Sequence, residues 1–145
     1  MRVLIVEDDP TTAQMMKFMI RNYVEYSHAG NGQEGYDAFC TALDEKKPFD
    51  LVFLDIMMPM VDGQEMLEAI RVYEEDCGIS CSEGAKVVMT TCVDDTKEIY
   101  HSLSHGVLEY LTKPVDRKKL LSIMEIVNGS PLTKQDEPYE EGVFS

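Results

Sequence analysis

The sequence predicts an α/β domain: an open parallel sheet with helices on both faces, built from five strand–helix units. Three observations predict it. Short aliphatic runs without polar alternation recur along the chain, as suits strands covered on both sides. Between them lie longer stretches whose apolar residues return every three or four positions. The 145 residues are enough for one domain that buries roughly two-thirds of its unfolded surface and needs no disulfide or metal staple.

The first run, Val3 to Val6, is too short for a helix and rich in β-branched residues. A weaker candidate spans Tyr23 to His28, and further runs are Leu51-Val52-Phe53-Leu54, Val87-Val88-Met89 and Val107 to Leu111. Pro10 suits a first helical turn, and Ala13, Met16, Met19, Ile20 and Tyr23 follow at helical spacing. Asn31 can cap a second helix running to about Lys47, with Tyr36, Phe39, Cys40 and Leu43 inward and Pro48 ending it. Asp62-Gly63 opens a third carrying Met66, Leu67, Ile70 and Tyr73. Asp95 or Thr96 opens a fourth carrying Ile99 and Leu103. Asp116 opens a fifth carrying Leu120, Ile123, Met124 and Val127. Alternation of strands with helices makes the sheet parallel. Two segments break the rhythm. Glu74 to Ala85 is a long polar loop, and residues 128–145 form a polar, acidic tail that frays or docks loosely.

Composition narrows the function. Apolar residues make up 44% and charged residues 28%, as in a soluble globular protein. A net charge of −14, from 13 basic and 27 acidic side chains, repels a DNA backbone and an anionic membrane. Direct nucleic-acid binding and membrane insertion are therefore not expected. No apolar run approaches a membrane span, and acids at Glu7-Asp8-Asp9 arrive too early for a signal-peptide core. The cysteines at 40, 77, 81 and 92 form no C-x-x-C pair. The expectation is a cytoplasmic, single-domain protein with reduced thiols.

In an open α/β sheet, ligands bind outside the carboxyl ends of the strands. The first strand ends in Glu7-Asp8-Asp9, the third in Asp55, the fourth in Thr90-Thr91, and Lys113-Pro114 follows the fifth. Such a cluster of acids calls for a cation, and a hard ion such as Mg²⁺ binds one or two carboxylates together with waters and phosphate oxygens. A central Asp beside that ion could attack a phosphoryl group. Thr90 could donate a hydrogen bond to it, and Lys113 could pair with the acid when the site is empty and with the phosphoryl group when it is loaded. Taken singly, Asp9 and Asp62 read more simply as helix caps.

Four stretches carry a resemblance: Val3 to Pro10, Asp50 to Gly63 (DLVFLDIMMPMVDG), Met89-Thr90, and Tyr110-Leu111-Thr112-Lys113-Pro114. In this order and spacing they resemble the receiver domain of two-component response regulators, most of all a stand-alone, chemotaxis-type (CheY-like) receiver. The resemblance implies a (βα)5 flavodoxin-like sheet of order 2-1-3-4-5, with the receiver over 1–127 and the tail over 128–145. It makes Asp55 the phosphoacceptor. Mg²⁺ is held by Asp8 directly, by Glu7 through water, by Asp55 and by the Met57 backbone carbonyl. It makes Thr90 and Lys113 the phosphoryl-binding pair and Thr90 with Tyr110 the switch. It also implies a cis Lys113–Pro114 bond. The partners implied are a sensor histidine kinase or phosphotransfer protein, and a target protein read by the fourth helix, fifth strand and fifth helix. The molecule is a monomer or a phosphorylation-dependent dimer.

Departures from the family pattern are Thr91, where a smaller residue is common and donor access narrows, Val107, where Ala is commoner, and Met57 and Cys92. The last two positions tune water attack on the acyl phosphate, and neither side chain here can orient water. Other features read simply. His101 and His105 lack a third metal ligand, and Cys77 and Cys81 read as inert loop thiols. Met15, Met16, Met19, Met66 and Met124 fit core spacing, whereas Met58 and Met60 flank the site. Arg117-Lys118-Lys119 reads as a solvated helix face. A phosphorylation-controlled switch is therefore the expected function. A Mg²⁺-dependent aspartyl phosphatase would want an acid at position 57, and a phosphate-independent docking module would usually lack one of the acids or the lysine.

Overall fold

The computed structural model describes residues 1–58, 61–92 and 106–142. The fourth predicted helix, with His101 and His105, and also Pro59 and Met60, lie outside these residues. Within them the chain runs β1 (Arg2–Val6), α1 (Pro10–Ile20), β2 (Glu25–Ala29), α2 (Gly32–Asp44), β3 (Leu51–Asp55), α3 (Gly63–Asp76), β4 (Lys86–Thr91), β5 (Val107–Thr112), α4 (Arg117–Asn128) and β6 (Glu141–Gly142). The strands form one parallel sheet of order β5-β4-β3-β1-β2-β6. The expected order 2-1-3-4-5 is present, and a sixth strand from the tail extends it beyond β2.

The side-chain alternation of the central strands divides the core in two. Leu4, Val6, Val52, Leu54, Val87 and Met89 face α2 and α3, where Phe39, Met66, Leu67 and Ile70 meet them. Val3, Ile5, Leu51, Phe53 and Val88 face the other way, toward Met16 and Ile20 of α1 and Leu120, Ile123 and Met124 of α4. Each helix opens on a side-chain cap: Asp9, Asn31, Asp62 and Asp116 accept from the backbone N–H groups of Thr12, Glu34, Glu65 and Lys119. Such a cap contributes about 1 kcal/mol. α4 ends on Gly129 at φ 76°, a left-handed stop that glycine adopts without strain. No helix among the described residues is long and apolar enough to cross a membrane.

Several expectations change at the level of faces. On α2 the expected Phe39 is buried and Tyr36 and Leu43 pack partly buried against the core, but the rest of the buried face is Gly32, Gly35, Ala38 and Ala42, and Cys40 is only half-buried. Small residues win because the helix lies close: a side chain at Gly35 would sit 2.9 Å from both Val6 Cγ2 and Met66 Cε. α1 stops at Ile20, before Tyr23, and α2 stops at Asp44, short of Lys47. Met16, Met66 and Met124 are core, whereas Met15 is 46% exposed. β5 forms the sheet edge with only Leu111 buried, so its apolar run is not covered on both faces. Glu74 belongs to α3 rather than to the loop and is buried. Its carboxylate accepts from Arg71 Nη1 at 2.6 Å and from the Ala85 N–H at 2.8 Å, fastening both ends of the 77–85 loop.

Candidate functional site

The carboxyl ends of β1, β3 and β4 meet at one edge of the sheet because parallel strands all point there. β1 delivers Glu7, whose N–H continues the ladder to Ala29 O at 3.1 Å. β3 delivers Asp55 as its last residue, in register with Thr90 of β4. Just beyond, the Ile56 N–H bonds to Thr90 O at 3.1 Å and the Lys113 N–H to Thr91 O at 2.8 Å. The backbone thus holds Asp55, Thr90 and the start of the Lys113 turn side by side. Glu7, Asp55, Thr90 and Thr91 are buried, and Asp8 is exposed at the rim.

Lys113 reaches into this edge. Its Nζ donates to Glu7 Oε1 at 2.9 Å and lies 3.2 Å from Asp55 Oδ2. Glu7 Oε2 is 2.8 Å from the same ammonium, a charge contact, and this buried oxygen has no hydrogen-bond partner. Ligand oxygens of Glu7, Asp8 and Asp55 all lie within 4.8 Å of one another. Three carboxylates against one ammonium, with one buried oxygen left unbonded, fit a hard cation with oxygen ligands.

Electrostatics agrees with the geometry. Burial, and after it the Glu7 carboxylate, push Asp55 above the usual carboxylate range. Burial and Asp55 do the same to Asp8. Burial pulls Lys113 down, yet Glu7 and Asp55 together outweigh it and its value is raised. A carboxyl whose folded value exceeds its unfolded value binds protons more readily when folded. Stability therefore falls as pH rises through that window and returns as pH drops. Without a divalent cation, Asp55→Asn is accordingly expected to exceed the wild type at neutral pH by about 1 kcal/mol. Urea titrations across pH would show this advantage shrinking on acidification and vanishing only well below about pH 4, once the carboxyl is protonated in the unfolded state as well. An advantage that grows on acidification would contradict it.

The remaining predicted residues fall around this cluster. The Met57 N–H donates to Asp55 Oδ1 at 3.1 Å while its side chain is 65% exposed. Cys92 is exposed just past β4, and Met58 is buried. Tyr110 is half-buried on β5, beside Met89 of β4, and packs against the α2–α3 core. The Lys113–Pro114 peptide bond is cis. Asp9 and Asp62 serve as helix caps, and the Thr12 hydroxyl and N–H hold Asp9 below the usual carboxylate range.

Gly63 has a role that its reading as a helix opener missed. It seats α3 on the backbone that carries Asp55: a Cβ there would lie 2.8 Å from Ile56 Cα and closer still to the Asp55 carbonyl oxygen. The available signal was a glycine in a helix's first turn, where most residues are better helix formers.

The profile of the family described as "Response regulator receiver domain" matches residues 3–125. The DNA-binding response regulator MtrA of Mycolicibacterium smegmatis is 31% identical over 140 residues, covering 96% of this chain and 54% of the relative. The two-component response regulator ORR26 of Oryza sativa subsp. japonica is 32% identical over 128 residues, covering 88% and 20%. The chain thus spans about half or less of the length of these relatives. Among solved structures, the Vibrio cholerae chemotaxis protein CheY4 superposes with a TM-score of 0.70 at 24% identity, covering 87% of this chain and 97% of that one. The Mg²⁺ complex of the receiver domain of the histidine kinase CKI1 from Arabidopsis thaliana gives 0.74 at 24% identity, covering 86% and 90%. These two structural likenesses show the fold.

Proposed function

This chain belongs to the response regulator receiver domain family, and from that premise we propose that it is a cytoplasmic switch that carries a phosphoryl group on Asp55. The reading rests on one observation, the buried Glu7–Asp55–Lys113 contact with Asp8 at its rim. An Asp55 carboxylate oxygen attacks the phosphorus of a phosphohistidine on a sensor kinase or phosphotransfer protein. The new P–O bond forms as the P–N bond breaks, and the imidazole leaves and takes up a proton. Mg²⁺, held by Asp8, Asp55, the Met57 carbonyl and Glu7 through water, would offset the negative charge that otherwise repels the incoming group. Lys113 turns from the carboxylates to a phosphoryl oxygen, and Thr90 donates its hydroxyl to another.

The phosphoryl contact draws Thr90 toward the site, and Tyr110 follows into the space behind it. That shift biases the surface that a target protein reads, which the family resemblance assigns to the predicted fourth helix, β5 and α4. The molecule acts as a monomer or dimerises on phosphorylation, and it turns over no external substrate. Met57, two residues after the phosphoacceptor, supplies no acid for a phosphatase. Intact mass after incubation with Mg²⁺ and a small acyl phosphate tests the reading. Wild type is expected to gain one phosphoryl group and Asp55→Asn none; equal gain in both would refute it.

The same measurement followed in time tests the lifetime. Neither Met57 nor Cys92 can orient a water, so the phosphoryl group should persist. Cys92→Glu or Met57→Asn is expected to speed its loss about tenfold; an unchanged decay rate in both would contradict this.

A further inference from the structure

The tail beyond α4 is built into the fold at one place, the end of α1 and the outer edge of β2. The Gln135 and Tyr139 N–H groups donate to Asn22 O and Arg21 O, both at 2.7 Å. These carbonyls stand at the C-terminus of α1, where a helix leaves acceptors unused. Asn22 Nδ2 returns a bond to Gln135 O at 3.0 Å, and Lys17 Nζ pairs with Glu141 Oε1 at 2.7 Å. Glu141 and Gly142 then pair with Tyr26 and Ser27 as β6. A side chain at 142 would run into Ser27 Oγ, which is buried, so the seat takes glycine.

This strap is specific but lightly held. Leu132 is the tail residue packed against the core, and 133–142 are exposed throughout. When the strap lifts, β2 presents an unpaired edge that accepts any strand of matching chemistry. The segment known to match is the strap itself, and a second copy carries it. Residues 129–134 join α4 to the first strap bond, and six extended residues reach about 20 Å.

We propose that the β2 edge is an interface between two copies of this chain, each lending its 135–142 strap to the other. Every strap contact is the same in cis and in trans, so exchange needs no new interaction and is governed by effective concentration. Dilute chain closes on itself; concentrated chain exchanges. This surface lies at the opposite sheet edge from β5, so exchange adds a concentration-dependent dimer to any that phosphorylation drives.

Charge reversal of the Lys17–Glu141 pair tests exchange directly. In Lys17→Glu alone, or Glu141→Lys alone, the strap meets a like charge in its own molecule. When the two variants are mixed, both exchanged straps meet an opposite charge. Sedimentation of the full chains is expected to show at least about tenfold more heterodimer in the mixture than dimer in either variant alone. The double variant should return to wild-type behaviour, and adding Gly142→Val to both partners should abolish the heterodimer while circular dichroism reports an intact fold. Two monomers persisting in the mixture, or a heterodimer that survives Gly142→Val, would overturn the proposal.

Discussion

Replacing Lys113 by methionine is expected to cost the cation-free protein about 3 kcal/mol at neutral pH. The methionine keeps the apolar stem and removes the charge. What remains is Glu7 and Asp55, both buried, facing each other with no ammonium 2.8 and 3.2 Å away. Breaking such a pair from one side leaves uncompensated charge, which is worse than never having had the pair. Millimolar Mg²⁺ should recover most of the loss, because a bound cation replaces the missing one and binding to the folded state stabilises it. Phosphoryl uptake should fall tenfold or more even with Mg²⁺, since a charged donor to the phosphoryl oxygens is gone. Urea unfolding with and without Mg²⁺ reads the first effect and intact mass against time the second. A variant as stable as wild type in the absence of Mg²⁺ would mean that Lys113 does not balance the carboxylates.

Gly63→Ala is expected to be nearly as damaging, through geometry rather than charge. Its methyl group would press on the backbone of Asp55 and Ile56, and backbone at the end of a central strand, held by the Ile56 N–H to Thr90 O bond, cannot step aside as a side-chain tip can. Overpacking of this kind costs about 1–3 kcal/mol. The displacement also falls on the proposed phosphoacceptor, whose carboxylate would have to meet a phosphorus in line, and a misplacement of about 1 Å can cost a hundredfold in rate. Uptake by Gly63→Ala should therefore drop more than its stability loss explains, at temperatures where it remains folded. Wild-type kinetics in a folded Gly63→Ala would show that α3 does not position Asp55.

Both predictions show what a linear sequence can and cannot carry. The strand-end residues were legible because parallel topology puts every carboxyl end on one edge, so Glu7, Asp8, Asp55, Thr90 and Lys113 had to converge. The close approach at Gly63 was not, because it depends on how α3 docks on β3. Central strands announced themselves as unbroken aliphatic runs, and caps at Asp9, Asn31, Asp62 and Asp116 as polar residues ahead of helical periods. β6 gave no such signal: Glu141-Gly142 has no strand propensity, and only the bonds of the preceding residues to the end of α1 bring it to β2. Glu74 was hidden for a similar reason. It continues the inward spacing of Met66, Leu67 and Ile70, yet a carboxylate there reads as loop until Arg71 and the Ala85 N–H are seen to satisfy it.

Reductive trapping tests, at the residue itself, whether one carboxylate, Asp55, takes the phosphoryl group as proposed. Borohydride converts an aspartyl phosphate to homoserine, which peptide mass mapping locates. After incubation with an acyl phosphate, homoserine is expected at position 55 when Mg²⁺ is present, and at no position when Mg²⁺ is withheld. Homoserine at position 8 or any other aspartate, or a yield at position 55 that ignores Mg²⁺, would contradict the account.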